Sequence, residues 1–346
     1  MHNAHTKNIY ELREISIEDV FDASSVFPHA HFTQSKVYAR VQTASGREVK
    51  CFCVYKNNVV VGYFQYIVFP LFGTLTYAYI PYGPLIILNQ DGLVVFIKDS
   101  ITKIARTERF VFMRLDFDPI LTKKDETNFF KAPKKSYKGV VFQPRNEWVL
   151  PVQKSNEELL HGMHEKTRYS IRTAEKREVT TEIITEDFQD YFEIFYTLMS
   201  DNARRNGFYL HPKQYYQNYF NAIKYIPHAS LVLAKYQTDI LCMYMFVPYA
   251  DTVHYIFGAS SYHEKNRMPT YAAHFKAMQY VRECGYAYYN FGGIESGADM
   301  SLGMRSLTAY KKKFGGKTIV HGGFYDIVTG WGWYFLYIIR KWIKSF

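Results

Sequence analysis

A run of basic side chains at helical spacing is the most distinctive chemical feature of this sequence. Five cations lie close together, at Lys166, Arg168, Arg172, Lys176 and Arg177. Lysine and arginine in such a pattern bind the phosphates of an RNA backbone and release counterions as they do so. A helix whose charges only face water has the same pattern. The segment therefore predicts either an RNA-binding helix or a solvated one.

Metal and thiol chemistry are not indicated. His161 and His164 are three residues apart, but no third ligand clusters beside them. The four cysteines form no C-x-x-C pair, and Cys51 and Cys53 share one face of a predicted strand. This usage is typical of buried thiols in a reducing compartment. We expect no metal site.

The composition indicates a folded protein with an anionic partner. A chain of 346 residues with 48% hydrophobic content can bury two cores. The formal net charge of +10 favours a nucleic acid, a nucleotide-linked sugar or an acidic lipid surface as partner. The polar N-terminus lacks the pattern of a secretory signal. These features predict a cytoplasmic protein.

The C-terminal segment is apolar, aromatic and basic. Residues 331–339 are closed by Arg340, Lys341 and Lys344, and the run is shorter than the roughly 18 apolar residues of a spanning helix. A helix of this kind either lies on a membrane surface or packs against its own domain. Both alternatives stay open at this point.

The order of predicted elements is repeated along the chain. In the first half, two apolar runs flank a turn at residues 56–58, and a third run, a helical stripe and a fourth run follow. The second half repeats this order between residues 230 and 291, with Gly285 placed to end the helix. A tandem β-β-β-α-β pattern predicts an α/β protein with mixed sheets. We expect two tandem domains that each resemble the N-acetyltransferase (GNAT) fold, with a boundary near residues 150–157.

An acyl-CoA donor is disfavoured. Acetyl-CoA enzymes of the GNAT fold carry a glycine-rich loop, R/Q-x-x-G-x-G/A, that holds the pyrophosphate where a helix begins. The corresponding residues 266–271 contain no glycine. The alternative enzyme is an acyl-CoA-dependent N-acyltransferase acting on an amino sugar or an exopolysaccharide component. The non-enzyme alternative is an RNA- or membrane-binding module.

Six motifs, in the same order, resemble those of the Fem (FemABX) family. They are residues 32–38 (FTQSKVY), 79–84 (YIPYGP), 166–176 (KTRYSIRTAEK), 258–260 (GAS), 289–294 (YNFGGI) and 310–315 (YKKKFG). Tyr82 replaces the arginine of the family's Y-I-P-R-G-P turn. Val179 leads directly into Thr180, which resembles the shorter family form that lacks a helical arm. That resemblance implies domain 1 at residues 1–152 with a return segment at 318–346, and domain 2 at residues 153–317.

The resemblance also implies a reaction. Family members pass an amino acid from aminoacyl-tRNA to the amine of a peptidoglycan precursor stem peptide, either UDP-MurNAc-pentapeptide or lipid II. Aminoacyl-tRNA is a donor substrate, and no cofactor is implied. The chemistry needs a free amine, a proton acceptor and stabilisation of a tetrahedral oxyanion. We expect a monomer that contacts the inner face of the cell membrane peripherally through its C-terminal helix.

The catalytic residues implied by the resemblance are Lys311, Tyr310 and Asp116. Lys311, preceded by Tyr310, matches an aromatic–lysine pair whose lysine stabilises the intermediate or the terminal ester of the tRNA. The alternative is that residues 311–313 only form a solvated basic face. Asp116 resembles a carboxylate considered as the base, and Asp118 aligns equally well.

The implied binding residues fall into two groups. Arg40 matches a basic ligand of the acceptor's phosphate, and His211 stands where the shorter form has arginine before a proline. Tyr215 and Tyr255 match tyrosines that line the acceptor site, although a purely structural role would also explain them. The implied tRNA-binding residues are Lys166, Arg168, Arg172 and Lys176.

Overall fold

The chain forms two compact units. The computed structural model describes residues 9–27, 30–87, 90, 92–116, 143–295, 302–322 and 324–343. Unit 1 comprises residues 1–145 and 320–346, and unit 2 comprises residues 146–319.

The two units contain fourteen strands and nine helices within the described residues. The strands are β1 (Tyr10–Ile15), β2 (Val49–Lys56), β3 (Val59–Phe72), β4 (Leu75–Ile80), β5 (Leu85–Ile86), β6 (Phe112–Asp116), β7 (Asn146–Pro151), β8 (Thr180–Ile184), β9 (Ser230–Tyr236), β10 (Asp239–Tyr249), β11 (Thr252–Ser260), β12 (Tyr288–Ile294), β13 (Lys317–Val320) and β14 (Phe324–Val328). The α-helices are α1 (Lys36–Ala44), α2 (Leu93–Thr107), α3 (Asn156–His161), α4 (Glu165–Lys176), α5 (Phe192–Asn206), α6 (Lys213–Ile223), α7 (Pro269–Glu283), α8 (Leu302–Lys312) and α9 (Trp331–Ile343).

Unit 1 is built on a mixed sheet in the order β1-β2-β3-β4-β6-β14, with β5 beside β3. The pairs are antiparallel except β4 with β6. Asn57 and Asn58 both have positive φ, as a two-residue turn of the primed type requires, which confirms the predicted hairpin. Helix α2 buries Leu93, Ile97 and Ile101 against the sheet, as its apolar spacing predicts.

Unit 2 contains the second mixed sheet, in the order β13-β7-β12-β11-β10-β9-β8. Strands β11 and β12 of this sheet are parallel. Helix α7 packs on this sheet and ends before Gly285, whose φ of 86° is the left-handed conformation that favours glycine after a helix. Helix α4 is followed directly by β8, without a helical arm between them.

The predicted repeat is confirmed in both units, but the strand just before the predicted boundary belongs to the second sheet. Three strands, a helix and a strand recur as β2-β3-β4-α2-β6 and β9-β10-β11-α7-β12. Residues 146–152 were predicted to end domain 1, yet β7 lies between β13 and β12 in the second sheet. Alternating side chains show that a segment is a strand but not which partner it pairs with, and β12 lies far along the chain. Unit 1 also resumes at residue 320 rather than 318.

The first family-like motif has a structural role in unit 1. Gln34 is fully buried; its amide nitrogen donates to the Pro81 carbonyl oxygen (2.6 Å), and its amide oxygen accepts from the Gln65 backbone N–H (2.9 Å). Ser35 caps α1 by accepting from the Tyr38 N–H. The motif therefore fastens the turn at residues 80–83 to strand β3.

A buried ion pair attaches the C-terminal return segment to the first sheet. Arg114 on β6 lies opposite Asp326 on β14, and their side chains are 1% and 0% exposed. Arg114 Nε donates to Asp326 Oδ1 and Nη2 to Oδ2, each at 2.7 Å. The Tyr334 hydroxyl donates to Oδ2 (2.7 Å), and Arg114 Nη1 donates to the Tyr337 hydroxyl (3.3 Å). The pair thus joins β6, β14 and α9.

One face of α9 packs on its own unit. Tyr334 and Tyr337 are buried in a cluster with Tyr77, Phe112 and Phe324. Packing against its own domain, one of the two alternatives, therefore holds for this face of the helix, and it does not decide between them for the exposed opposite face. No helix of the described residues is long and apolar enough to cross a membrane.

We predict that Asp326→Asn lowers the free energy of unfolding by about 3–5 kcal/mol, because Arg114 would stay buried without its counter-ion. Urea unfolding followed by circular dichroism measures this change. Glu11→Gln is the matched control in unit 1, because it removes the partner of Arg13 from an exposed pair and should change stability little. Equal unfolding midpoints for the two variants would contradict the structural role of the buried pair.

Candidate active site

Lys311 differs from the two lysines that follow it. Its side chain lies in the last turn of α8, the residue is 5% exposed, and its Nζ donates to the Gly293 carbonyl oxygen at 2.6 Å. Lys312 is exposed, with its ammonium 5.6 Å from the centre of the Trp148 ring, and Lys313 is half-buried. A uniform solvated face at residues 311–313 is therefore wrong for Lys311.

The Lys311 ammonium loses its proton more readily than that of an exposed lysine. Burial disfavours the ammonium and lowers the pKa of Lys311 to about 8, while the nearby carboxylate of Glu147 acts in the opposite direction. Near neutral pH this side chain can donate a strong hydrogen bond as an ammonium or accept a proton as an amine. Such a perturbed lysine is typical of functional sites.

A polar network holds the strand that Lys311 contacts. Glu147 on β7 is 6% exposed and accepts from Asn290 Nδ2 on β12 at 2.9 Å. The same Asn290 nitrogen lies 3.3 Å from Nδ1 of the buried His254, and Asn290 Oδ1 accepts from the Gly292 N–H at 2.7 Å. The register between β12 and β7 shifts between Asn290 and Gly293, where Gly292 has φ 72°. The bulge leaves the Gly293 carbonyl available to Lys311.

Sequence reasoning missed the roles of Glu147, His254 and Asn290. Asn290 and the two glycines lay within a recognised motif, and glycines inside a strand are a signal for a bulge. Glu147 and His254 give no such signal, because isolated polar residues in strands more often face water.

Tyr310 packs beside Lys311 in an aromatic cluster. Its ring centre lies 5.1 Å from that of Tyr271, 5.3 Å from Phe314 and 5.8 Å from His274. Burial raises the pKa of the Tyr310 hydroxyl well above its usual value, so this hydroxyl stays protonated. The ring of Tyr310 is thus held in the aromatic core next to the helix turn that carries Lys311.

His274 forms the centre of that cluster. It is 2% exposed, and its Nδ1 lies 2.6 Å from the Tyr289 hydroxyl oxygen. Burial, together with the charge of Lys311, lowers the pKa of His274 to about 3. The imidazole is therefore neutral at physiological pH and adds no second positive charge beside Lys311.

Tyr255 belongs to the same cluster, and its ring occupies the space that a side chain at position 258 would need. Its half-buried ring lies 5.3 Å from His274 and 5.2 Å from Tyr244. A Cβ atom at Gly258 would lie 2.2 Å from the Tyr255 hydroxyl oxygen and 2.3 Å from Cδ1 of Tyr244. Position 258 therefore admits only glycine unless both rings move.

His211 and Tyr215 lie together at the start of α6. The imidazole of His211 is exposed, with its ring centre 4.3 Å from that of the half-buried Tyr215. Tyr215 in turn lies 6.4 Å from Phe257 on β11, the strand that carries Tyr255. Tyr255 packs instead with Tyr244 and Phe246. The register shift between Met245 and Phe246 places the Tyr255 and Phe257 side chains on opposite faces of the sheet, so His211 and Tyr215 lie on a different face from Tyr255.

Helix α4 presents a basic and aromatic face to solvent. Thr167, Ser170 and Ala174 are buried, whereas the exposed side chains include Lys166, Tyr169, Arg172 and Lys176. Arg168 is half-buried and donates to the Met163 carbonyl oxygen. The structure therefore separates Arg168, which is held locally, from the three exposed lysine and arginine candidates.

His164 caps this helix. Its Nδ1 accepts from the Lys166 N–H at 3.1 Å. Within the described ranges, no three His, Cys, Asp or Glu side chains are grouped so that they could hold a metal ion.

Two candidates lie in unit 1. Asp116, at the end of β6, is half-buried and accepts a hydrogen bond from the Tyr79 hydroxyl. Burial raises the pKa of Asp116 to about 6, although the bond from Tyr79 and the charge of Arg114 act against this rise. Asp116 can therefore exchange a proton near neutral pH. Asp118, the alternative alignment, lies outside the described residues.

Arg40 is the second candidate in unit 1. It lies on α1, and its Nε and Nη2 both donate to the carboxylate of Glu18, with an Nε–Oε1 distance of 3.2 Å. The Arg40 and Glu18 side chains are 41% and 68% exposed. A phosphate could displace this solvent-exposed carboxylate at modest cost.

We predict that the Lys311 ammonium titrates near pH 8, well below the usual lysine value of about 10.4. NMR of isotope-labelled lysine measures this midpoint, and Lys311→Met assigns the signal. Glu147→Gln should move the midpoint lower, because it removes a negative charge that favours the ammonium. Glu157→Gln, at an exposed position of α3, is the control. An unchanged midpoint in Glu147→Gln would show that this carboxylate does not act on Lys311.

The chain is similar to known proteins over most of its length. The model of the FemAB family matches residues 18–138, 124–242 and 236–330. The lipid II:glycine glycyltransferase of Staphylococcus aureus is 22% identical over 368 aligned positions, covering 83% of this chain and 86% of that protein. The crystal structure of FemX superposes with a TM-score of 0.81 at 20% identity, covering 94% of this chain and 99% of FemX.

The fold is also that of tandem GNAT proteins. A tandem GNAT protein from the clavulanic acid biosynthesis pathway has a TM-score of 0.53 at 9% identity, covering 92% of this chain and 98% of that chain. This likeness and that to FemX confirm the predicted fold class of two tandem GNAT-like domains. Because the family model matches most of its length, the chain belongs to the FemAB family.

Proposed function

We propose that this protein is an aminoacyltransferase that moves an amino acid from aminoacyl-tRNA to the amine of a peptidoglycan precursor stem peptide. The observation that carries the proposal is the burial of Lys311. This residue lies at the end of α8, and its ammonium donates to the Gly293 carbonyl oxygen on β12. Family membership supports the reaction class, and the Staphylococcus aureus relative is named for glycine transfer to lipid II.

Lys311 suits the central step of this reaction. The stem-peptide amine attacks the ester carbonyl of the charged tRNA, and a tetrahedral intermediate with a negative oxygen forms. The attack forms the new amide C–N bond. When the intermediate collapses, the ester C–O bond breaks, and the tRNA oxygen takes up a proton and leaves as a hydroxyl group. An ammonium in a site with little water stabilises the oxyanion more strongly than it would in bulk water. The reaction needs no cofactor beyond its two substrates.

Proton removal from the attacking amine has two candidate acceptors. Asp116, with a pKa of about 6, is mostly deprotonated at neutral pH and can accept a proton. The leaving tRNA hydroxyl oxygen is the other acceptor, and it needs no side chain.

The proposed substrate contacts follow from exposed cations and aromatic rings. The exposed face of α4, with Lys166, Arg172 and Lys176 around Tyr169, suits an RNA backbone. For the acceptor, either UDP-MurNAc-pentapeptide or lipid II, we propose Arg40 and His211 as phosphate contacts and Tyr215 and Tyr255 as lining residues. His211 offers a weaker clamp than arginine, because it lacks a planar fork of donors.

A reconstituted transfer assay tests the proposal. The purified protein, a mixture of charged tRNAs and either precursor should give a stem peptide heavier by one amino-acid residue, as measured by mass spectrometry. Ribonuclease treatment of the tRNA before the reaction should abolish the product. Transfer with acetyl-CoA as the sole donor would instead support the acyl-CoA enzyme. No product from either donor would contradict both enzymatic readings.

We expect Lys311→Ala to lower the single-turnover rate by roughly 10²–10³-fold, as loss of an oxyanion-stabilising donor does. Lys312→Ala and Lys313→Ala are the matched controls, because they remove the same charge from neighbouring positions. The rate is measured at saturating substrates, after circular dichroism has shown that each variant is folded. If all three variants showed similar, modest decreases in rate, residues 311–313 would form a binding patch without a catalytic lysine.

A further inference from the structure

Helix α9 is apolar on two opposite faces. Tyr334 and Tyr337 are buried against unit 1. The opposite face carries exposed side chains at Phe335 (65%), Leu336 (49%) and Ile343 (61%). A helix that is apolar all round is normally covered on all sides. The second face of α9 therefore indicates an apolar partner.

The exposed apolar surface continues beyond the helix. Trp331 and Trp333 are 66% and 49% exposed, and the Trp333 ring lies 6.3 Å from that of Phe72. Phe72 belongs to the tip of the β3–β4 hairpin, which packs against the same cluster as α9. Helix and hairpin tip together form one surface, which we call the α9 face. Contiguous apolar patches of this kind mark interaction sites.

Cations border the α9 face. The Arg340 guanidinium lies 5.5 Å from the centre of the Phe72 ring, and that of Arg47 lies 4.9 Å from the Phe69 ring. Lys341 adds a further positive charge in the last turn of α9. Residues 329–346 contain no aspartate or glutamate. The border therefore complements negative charge.

We propose that the α9 face docks on the surface of an anionic lipid bilayer. An α-helix of 13 residues is about 20 Å long, too short to span the hydrocarbon core. Lying flat, α9 would bury its aromatic and aliphatic side chains at the headgroup boundary, where tryptophan is favoured. Arginine and lysine would reach the phosphates while their stems stay on the apolar surface.

A second copy of the chain fits the same face less well. Two α9 helices packed together would bring Arg340 and Lys341 of both copies into one interface. The helix has no acidic side chain to compensate for them. Lipid phosphates supply that compensation.

The orientation of α9 is set before any membrane is met. Tyr334 donates to Asp326, and Tyr337 accepts from Arg114, so the rotation of the helix is fixed by a buried pair. Phe335 and Leu336 consequently point away from unit 1. Such a preformed face needs little ordering when it binds.

Co-sedimentation with vesicles tests this proposal without donor or acceptor substrate, so its failure is distinguishable from failure of the transfer reaction. The full chain should bind vesicles of equal parts phosphatidylglycerol and phosphatidylcholine more tightly than vesicles of phosphatidylcholine alone. Phe335→Ser combined with Ile343→Ser should weaken binding by roughly tenfold or more. Arg340→Gln with Lys341→Gln should remove most of the preference for the anionic vesicles.

The matched control replaces two exposed apolar residues elsewhere in unit 1, Val59→Ser with Val95→Ser, which are 62% and 55% exposed. This variant should bind as the parent does. Equal loss in the control variant, or no binding by the parent protein, would overturn the proposal. A dimer in light scattering that dissociates with Phe335→Ser, without vesicle binding, would assign the face to a second copy.

Discussion

The buried pair of Arg114 and Asp326 is the constraint on which much of unit 1 depends. Its partners are 212 residues apart, so the pair can form only when the return segment has reached the first sheet. Placing two charges in an apolar core carries a desolvation cost that good geometry and further hydrogen bonds must offset. Here the bidentate contact provides the geometry, and the Tyr334 hydroxyl provides a further hydrogen bond. The Arg114 guanidinium also lies over the face of the Phe324 ring. We infer that the pair specifies where β14 and α9 attach, more than it adds to stability.

The buried pair affects both the pKa of Asp116 and the orientation of α9. Asp116 stands two residues after Arg114 on β6, and the guanidinium charge limits how far burial raises the pKa of Asp116. The hydroxyl groups of Tyr334 and Tyr337 form hydrogen bonds with the pair, and these bonds determine which face of α9 points outward. The proposed proton acceptor and the proposed membrane surface are thus coupled to the same two buried charges.

Local patterns predicted the repeated β-β-β-α-β elements of both units, because hairpin turns, helical stripes and helix ends depend on neighbouring residues. The turn at Asn57 and Asn58 and the stripe of α2 are examples. The sheet that β7 joins, the pairing of Arg40 with Glu18 and the local bond of Arg168 were not predictable in this way. Each depends on which distant or turn-related group comes within reach after folding. The motif around Lys311 identified the residue, but not its burial or its hydrogen bond to the Gly293 carbonyl beside the bulge in β12.

We propose three different roles for the cationic side chains because their solvent exposure differs. At Lys311, burial makes the ammonium costly, so the proton is held loosely and the charge acts strongly on anything that enters the site. On α4 the cations stay in water, where each contributes little alone but several together can follow an RNA backbone. At the end of α9 the cations stand beside exposed aromatic rings, so charge and apolar area can act on one surface. The net charge of +10 does not distinguish these proposed roles. Burial, which the formal charge does not record, distinguishes the proposed catalytic lysine from the two kinds of proposed binding cation.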